Sequence, residues 1–287
     1  MCDRPDKVYK YLNAKRVQDV LTNLKIRFSP VSSLNDATEF TPPTLGVGER
    51  EAILKAIRGR LEQKFPGLIA IYRNLYPDHV VEDILQGLAE KGALEVEENF
   101  EKSRDRIYEQ LDRNFGVLSL SDSPVQRLMW AHYGDGERGY LIEFDAKHAW
   151  FSQERGPGDG FRHLRPVKYV ATRDPKYIFD LDDEAVLYTK NSEYAWEHEW
   201  RMILNFNEAA AKLGADAYGI DVLLFSVPPQ CITGVVIGPR ADPAVTATLK
   251  TLVHGNPDLA HVVFKKTVRI NDEITLLPDD DIAAHRR

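Results

Sequence analysis

The chain has 287 residues, 43% hydrophobic and 28% charged, with a formal net charge of -7. That composition excludes disordered, collagenous and low-complexity classes, because there is ample apolar side chain to bury. At this length roughly 75% of the unfolded surface can be buried without disulfide staples, in one large domain or two small ones. The acidic balance argues against a general nucleic-acid coat, which needs a basic footprint. Cys2 and Cys231 form neither a disulfide framework nor a metal-ligand spacing. The N-terminus, Met1 to Lys7, has no apolar core of a secretory signal. Apolar runs such as Val222 to Phe225 fall far short of the ~20 residues of a membrane helix. A cytoplasmic protein with no membrane partner is expected.

In chain order, Val8 to Leu12 alternates as a strand, Val17, Val20, Leu21 and Leu24 recur at helical spacing, and Ile26 to Phe28 alternates again until Ser29-Pro30. Pro42-Pro43, Gly46 and Gly48 mark a loop. Residues 49–113 read as a helical insertion. Ile53, Leu54, Ile57 and Leu61 form one stripe, ended by Pro66-Gly67. Asp78 caps a second stripe through Leu88 that Gly92 can close, and Val96, Phe100, Ile107 and Leu111 form a third. The charged faces of this block read as solvated.

Beyond residue 114 the text turns to short strands, at 116–121, 139–144, 167–170, 199–204, 219–225, 234–237 and 261–264, with a helix over 243–253. Regular strand–helix alternation is missing. The expected class is therefore α+β, a single domain over 1–287 with a mixed or antiparallel β core and the insertion at about 49–113.

Three stretches carry candidate chemistry. Ser123, Pro124 and Gln126 make a capping box, predicting a helix from about Pro124 to His132 with Leu128 and Met129 in the core. His132 and Tyr133 then adjoin the turn Gly134-Asp135-Gly136, as site residues or as side chains satisfied by backbone hydrogen bonds. Gly134 to Gly139 has the letters of a dinucleotide fingerprint, but the helix precedes it and a strand follows, the reverse of what pyrophosphate binding requires. In Tyr194 to Arg201, read as strand, Glu197, Glu199 and Arg201 share one face and Trp196, His198 and Trp200 the other. That face is either an ion-pair ladder or a site where one carboxylate orients a sugar hydroxyl or activates water while Arg201 neutralises its neighbour or a phosphate. After the second strand, Asn35-Asp36 forms an Asx-type turn, or Asn35, Asp36 and Glu39 line a pocket above the strand ends. No HExxH, P-loop or serine nucleophile elbow occurs.

Tyr9-Lys10-Tyr11, Leu24 to Pro30 with Leu34-Asn35-Asp36 and Glu39, Val117 to Ser121 with Leu128 to Gly136 and Gly139, and Trp196 to Arg201 together resemble the bacterial domain-of-unknown-function family 2971. The resemblance spans residues 8 to about 240, with Ala37 and Thr38 departing from its usual pattern. The layout is also similar, at the level of fold, to the ADP-ribosyltransferase superfamily, in which a split β core clamps NAD. There an aromatic stacks on nicotinamide, and a late glutamate binds the ribose and stabilises its developing positive charge.

Carried over, that likeness implies an NAD-consuming ADP-ribosyltransferase or NAD glycohydrolase, in a toxin or phage-defence setting, with a nucleotide as small-molecule substrate. Glu199 is the first choice of catalytic carboxylate and Glu197 the second, with His132 or Tyr133 on the nicotinamide. Cofactor contacts fall to Tyr9, Asn35, Trp130 and Arg27 or Arg201. Competing readings are a metal-dependent hydrolase or nuclease using Asp36, Glu39, His132, Asp135 and Glu197, and a non-catalytic sensing or interaction module. The sequence carries no signal for an acceptor or an oligomeric state.

Overall fold

The structure, a computed structural model, describes residues 4–36, 40–41, 49–156, 159–173, 186–271 and 273–279, except the side chains of Glu101 and Ser103. Cys2, Ala37, Thr38, Glu39 and the loop at 42–48 lie outside the described residues. The chain divides into two compact units, one of residues 1–37, 112–171 and 188–287, the other of residues 38–111 and 172–187.

The first unit is α+β. It opens with β1 (Lys7–Leu12), α1 (Ala14–Asn23) and β2 (Lys25–Pro30). Asn13 caps α1 by accepting from the Arg16 N–H. Leu24 ends it in the left-handed region, φ 49°, with its N–H on the Val20 carbonyl, so the chain turns straight into β2. Then come β3 (Phe115–Ser121), α6 (Arg127–His132), β4 (Tyr140–Asp145), the short β5 (Arg165–Pro166), β6 (Lys168–Val170) and β7 (Thr189–Asn191), and β8 (Glu199–Asn205). The unit closes with β9 (Ala211–Ala215), β10 (Asp221–Ser226), β11 (Ile232–Ile237), α7 (Pro243–His254), β12 (Val263–Ile270) and β13 (Glu273–Pro278).

Among the described residues one sheet runs β13-β12-β11-β4-β1-β3-β2-β10-β9, with β8 pairing β3 and β5. Most pairs are antiparallel; β11 and β12 are parallel, joined through α7. On the same side of β3, β1 pairs at Tyr9↔Ser121, and β2 pairs at Ser29↔Val117 and Pro30↔Gly116, so the sheet forks there. The other side of β3 pairs in full with β8, which places Ser119 opposite Arg201 and Ser121 opposite Glu199. Strand alternation sorts the two faces. Val8, Leu12, Leu118, Leu120, Ile142, Trp200 and Met202 join the main core with Val17 and Leu21 of α1 and Leu249 and Val253 of α7. Tyr9, Tyr11, Leu141 and Val236 face a smaller cluster with Met129 and Trp130.

The second unit, as far as described, is built from α2 (Arg50–Lys64), α3 (Pro66–Leu75), α4 (Asp78–Glu98) and most of α5 (Phe100–Asn114). Pro66 opens α3 where the sequence suggests an end, because a proline fits the first helical turn, whose N–H groups lack partners anyway. Asp78 sits in the first turn of α4 behind Pro77, where its charge still suits the helix dipole. Gly92 does not close α4. The helix continues to Glu98, and Ile57 of α2 occupies the space beside Gly92, where a Cβ would lie 3.2 Å from the Ile57 Cγ2.

Candidate functional site

The helix before the glycine turn is shorter than its capping box suggests. It starts at Arg127, because side chains claim the carbonyls upstream: Tyr11 Oη donates to Ser123 O (2.7 Å) and Trp130 Nε1 to Pro124 O (2.8 Å). Met129 and Trp130 are buried, whereas Leu128 is exposed, since a helix this short turns one side to the core. The turn that follows holds Asp135, Gly136 and Glu137 all at positive φ, and a Cβ on Gly139 would strike the Leu12 carbonyl. It is a helix-to-strand turn, as its order in the sequence implies.

Residues 192–197 form a 3₁₀ turn rather than strand, and His198 at φ 49° reverses the backbone before β8 begins at Glu199. Glu197 is therefore not a strand residue in phase with Glu199 and Arg201. Two serines of β3, Ser121 buried and Ser119 half-buried, hold this geometry. Ser121 Oγ donates to the Glu197 carbonyl at 2.7 Å, and Ser119 hydrogen-bonds the Glu199 carboxylate. The Glu199 N–H donates to Tyr169 Oη at 2.9 Å.

Glu197 and Glu199 nevertheless converge, through Lys190 of β7, a residue that the sequence reading does not single out. Lys190 is 2% exposed and donates to Glu197 Oε2 at 2.6 Å, Glu199 Oε2 at 3.3 Å and Asn35 Oδ1 at 3.1 Å. Its ammonium also lies 4.8 Å from the Tyr194 ring centroid. Arg201, 1% exposed, grips Glu199 with both prongs, Nε to Oε1 at 2.7 Å and a terminal nitrogen to Oε2 at 2.9 Å. Burial would raise the Glu199 carboxyl, but the Arg201 guanidinium, Lys190 and Ser119 outweigh it and hold the group down at about 2.

The Glu197 carboxylate faces differently. Its Oε1 accepts from Tyr133 Oη at 2.7 Å and from Asn35 Nδ2 at 2.9 Å. Asn35 is exposed and Tyr133 is 36% exposed, so both reach from this buried acid to the surface. The Tyr133 ring stacks near Trp196, centroids 6.3 Å apart and 25° between planes, and His132 adds a third ring 5.6 Å from Trp196. The result is an aromatic shelf joined by one hydroxyl to an anchored carboxylate.

The remaining candidates stand elsewhere. Trp130 is fully buried against Tyr11, ring centroids 5.2 Å apart, and leaves nothing of its ring for a ligand. Tyr9 lies under a second buried acid, Glu143, which Lys265 and Thr233 also hold; burial and Glu143 push its hydroxyl up. Arg27 pairs with Asp216 at 2.9 Å. Lys10, near the fork, donates to Ser119 O at 2.8 Å, and burial pulls it down to about 8. Among the described residues no three His, Cys, Asp or Glu side chains stand together as an ion site.

No signal in the sequence singles out this cation: the fold buries the two carboxylates of 197–201 with a single arginine, and Lys190 supplies the second positive charge from another segment.

Residues 129–202 match the family described as a protein of unknown function (DUF2971). The matched stretch holds Tyr133, Lys190, Trp196, Glu197, Glu199 and Arg201, while Asn35 comes from outside it. No curated protein matches the chain, and no solved structure does.

Proposed function

We propose that the Glu197 site binds a nucleotide carrying a cationic N-glycosidic base, of the NAD kind, and cleaves that bond. The protein is then an NAD glycohydrolase or ADP-ribosyltransferase. The observation that carries this reading is the contact of Tyr133 Oη with Glu197 Oε1 at 2.7 Å, with the same tyrosine ring beside Trp196.

The chemistry follows from that pairing. A planar cationic base gains from an aromatic face. As the bond to the base breaks, positive charge develops on the ribose, and a fixed carboxylate nearby stabilises it without reorganising. Glu197 suits this role better than Glu199, because both Glu199 oxygens are held by buried cations, whereas Glu197 meets partners that reach the surface. Lys190 and Arg201 then act as positioning residues, keeping both acids in place, and Asn35 and Tyr133 are the groups a ribose hydroxyl would displace or join.

The test is thermal denaturation with and without NAD, followed by assay of free nicotinamide. Wild-type protein is expected to be stabilised, by about 2.7 kcal/mol at 100 times the dissociation constant, and to release nicotinamide. Glu197→Gln is expected to stop the release while NAD still raises the melting temperature. Neither stabilisation nor release from wild-type protein would overturn the reading.

A further inference from the structure

The placing of Glu197 depends on one residue of backbone. In an extended strand it would share a face with Glu199 and Arg201. The reversal at His198, φ 49° and ψ 47°, takes it out of phase and turns it toward Tyr133. Left-handed backbone is uncommon outside glycine and persists where the surroundings hold it.

Asp122, the first residue past β3, holds this turn from three atoms. Its N–H donates to the His198 carbonyl at 3.2 Å. Its Oδ1 stands 3.3 Å from His198 Nδ1, and its Oδ2 accepts from Trp200 Nε1 at 3.1 Å. The carboxylate therefore spans the side chains on either side of Glu199. Asp122 is itself fixed: the pairing of β3 with β8 runs up to the residue before it, and the Ser123 carbonyl after it accepts from Tyr11 Oη. Ser121 Oγ takes the neighbouring carbonyl, that of Glu197, so two consecutive residues clamp two consecutive peptides. The Glu197 carboxylate takes its own hydrogen bonds from Lys190, Asn35 and Tyr133, so Asp122 acts on it through the backbone alone.

We propose that Asp122 is a positioning residue of the Glu197 site, locking the left-handed turn at His198 so that the Glu197 carboxylate is the one offered to substrate. The kinetic consequence rests on the glycosidic reading of that site; the geometric one does not.

The experiment is steady-state nicotinamide release from NAD by folded variants, with hydrogen exchange across residues 192–199 as a readout that needs no NAD. Asp122→Ala keeps the backbone bond and loses both side-chain contacts. Its kcat is expected to fall about tenfold or more, because a small misplacement of a catalytic group is costly. KM should stay nearly unchanged, since the aromatic shelf is intact, and exchange across the turn should be faster. Asp122→Asn, which keeps an acceptor for Trp200 Nε1, is expected to recover most of kcat. Adding His198→Gly to Asp122→Ala should also recover much of it, because glycine takes a left-handed φ unaided. A purely structural role would lower the melting temperature of Asp122→Ala and leave the kcat of folded protein alone. Unchanged kcat in Asp122→Ala therefore overturns the proposal, as does a fall that neither Asp122→Asn nor His198→Gly reverses. No nicotinamide release from wild-type protein removes the glycosidic reading instead; exchange then decides, and equal rates in wild-type protein and Asp122→Ala overturn the role of Asp122.

Discussion

The strand-built unit buries charge, and the helical unit exposes oil. In the first, Lys190, Arg201, Glu143, Glu197 and Glu199 all lie inside, each with an ionic partner. In the second, α3 has no buried residue, and Leu68, Ile71 and Leu75 face outward, Leu75 with 69% of its surface exposed. A strand covered on both faces sends every second side chain into low dielectric, so any polar group there must find its partner. A short helix touching its neighbours along one stripe has no such obligation.

The contrast implies that substitutions in the first unit act through unpaired charge and those in the second through contact area alone. Lys190→Met is expected to have the largest effect, about 3–5 kcal/mol, because it leaves Glu197 and Glu199 sharing one cation in a buried site. Urea unfolding measures it, and an unchanged midpoint would mean that the network contributes nothing to stability.

The same network sets the acid limit. The Glu199 carboxyl is held below its ordinary 4.5, at about 2. Its contribution to stability is therefore complete above about pH 4.5 and lost as the pH falls through 2. Melting temperatures across that window should fall more steeply for wild-type protein than for Glu199→Gln, which starts lower because the buried Arg201 guanidinium loses the carboxylate it grips.

In the helical unit, Leu85 of α4 is buried, and Leu85→Ala should cost about 2–3 kcal/mol, a cavity effect read by hydrogen exchange in α2 and α4. Tyr133→Phe keeps the aromatic shelf and removes one hydrogen bond to Glu197. It should lower stability by about 1 kcal/mol while reducing nicotinamide release far more, and equal retention of both would separate the tyrosine from the proposed chemistry. The smallest effect is expected for Leu75→Lys, within about 0.5 kcal/mol; a large loss would mean that α3 is covered in solution.

Where a segment is long and periodic, the residues alone foretell it. The α+β class, α1, α7, the helical block, the strands around the glycine turn and its helix-to-strand order all follow from spacing and turn chemistry, which act between neighbours in the chain. The exposure of Leu128 and the late start of α6 do not, because the carbonyls of Ser123 and Pro124 are taken by Tyr11 and Trp130 from elsewhere in the fold or the next turn. Short pieces such as β5 and β7, of two and three residues, have too few residues to show a period and exist through their partners.

The candidate site divides the same way. Tyr133, Trp196, Glu197, Glu199 and Arg201 stand out as residue types crowded into two short motifs. Lys190 does not, since a lysine in an aperiodic stretch looks like any solvated cation until the fold buries it between two acids. Composition and local spacing decide which groups are available for chemistry. Which carboxylate is locked by Arg201 and which is offered to the aromatic shelf depends on the left-handed turn at His198 and on strands far apart in sequence, because electrostatic pairing acts through space and not along the chain.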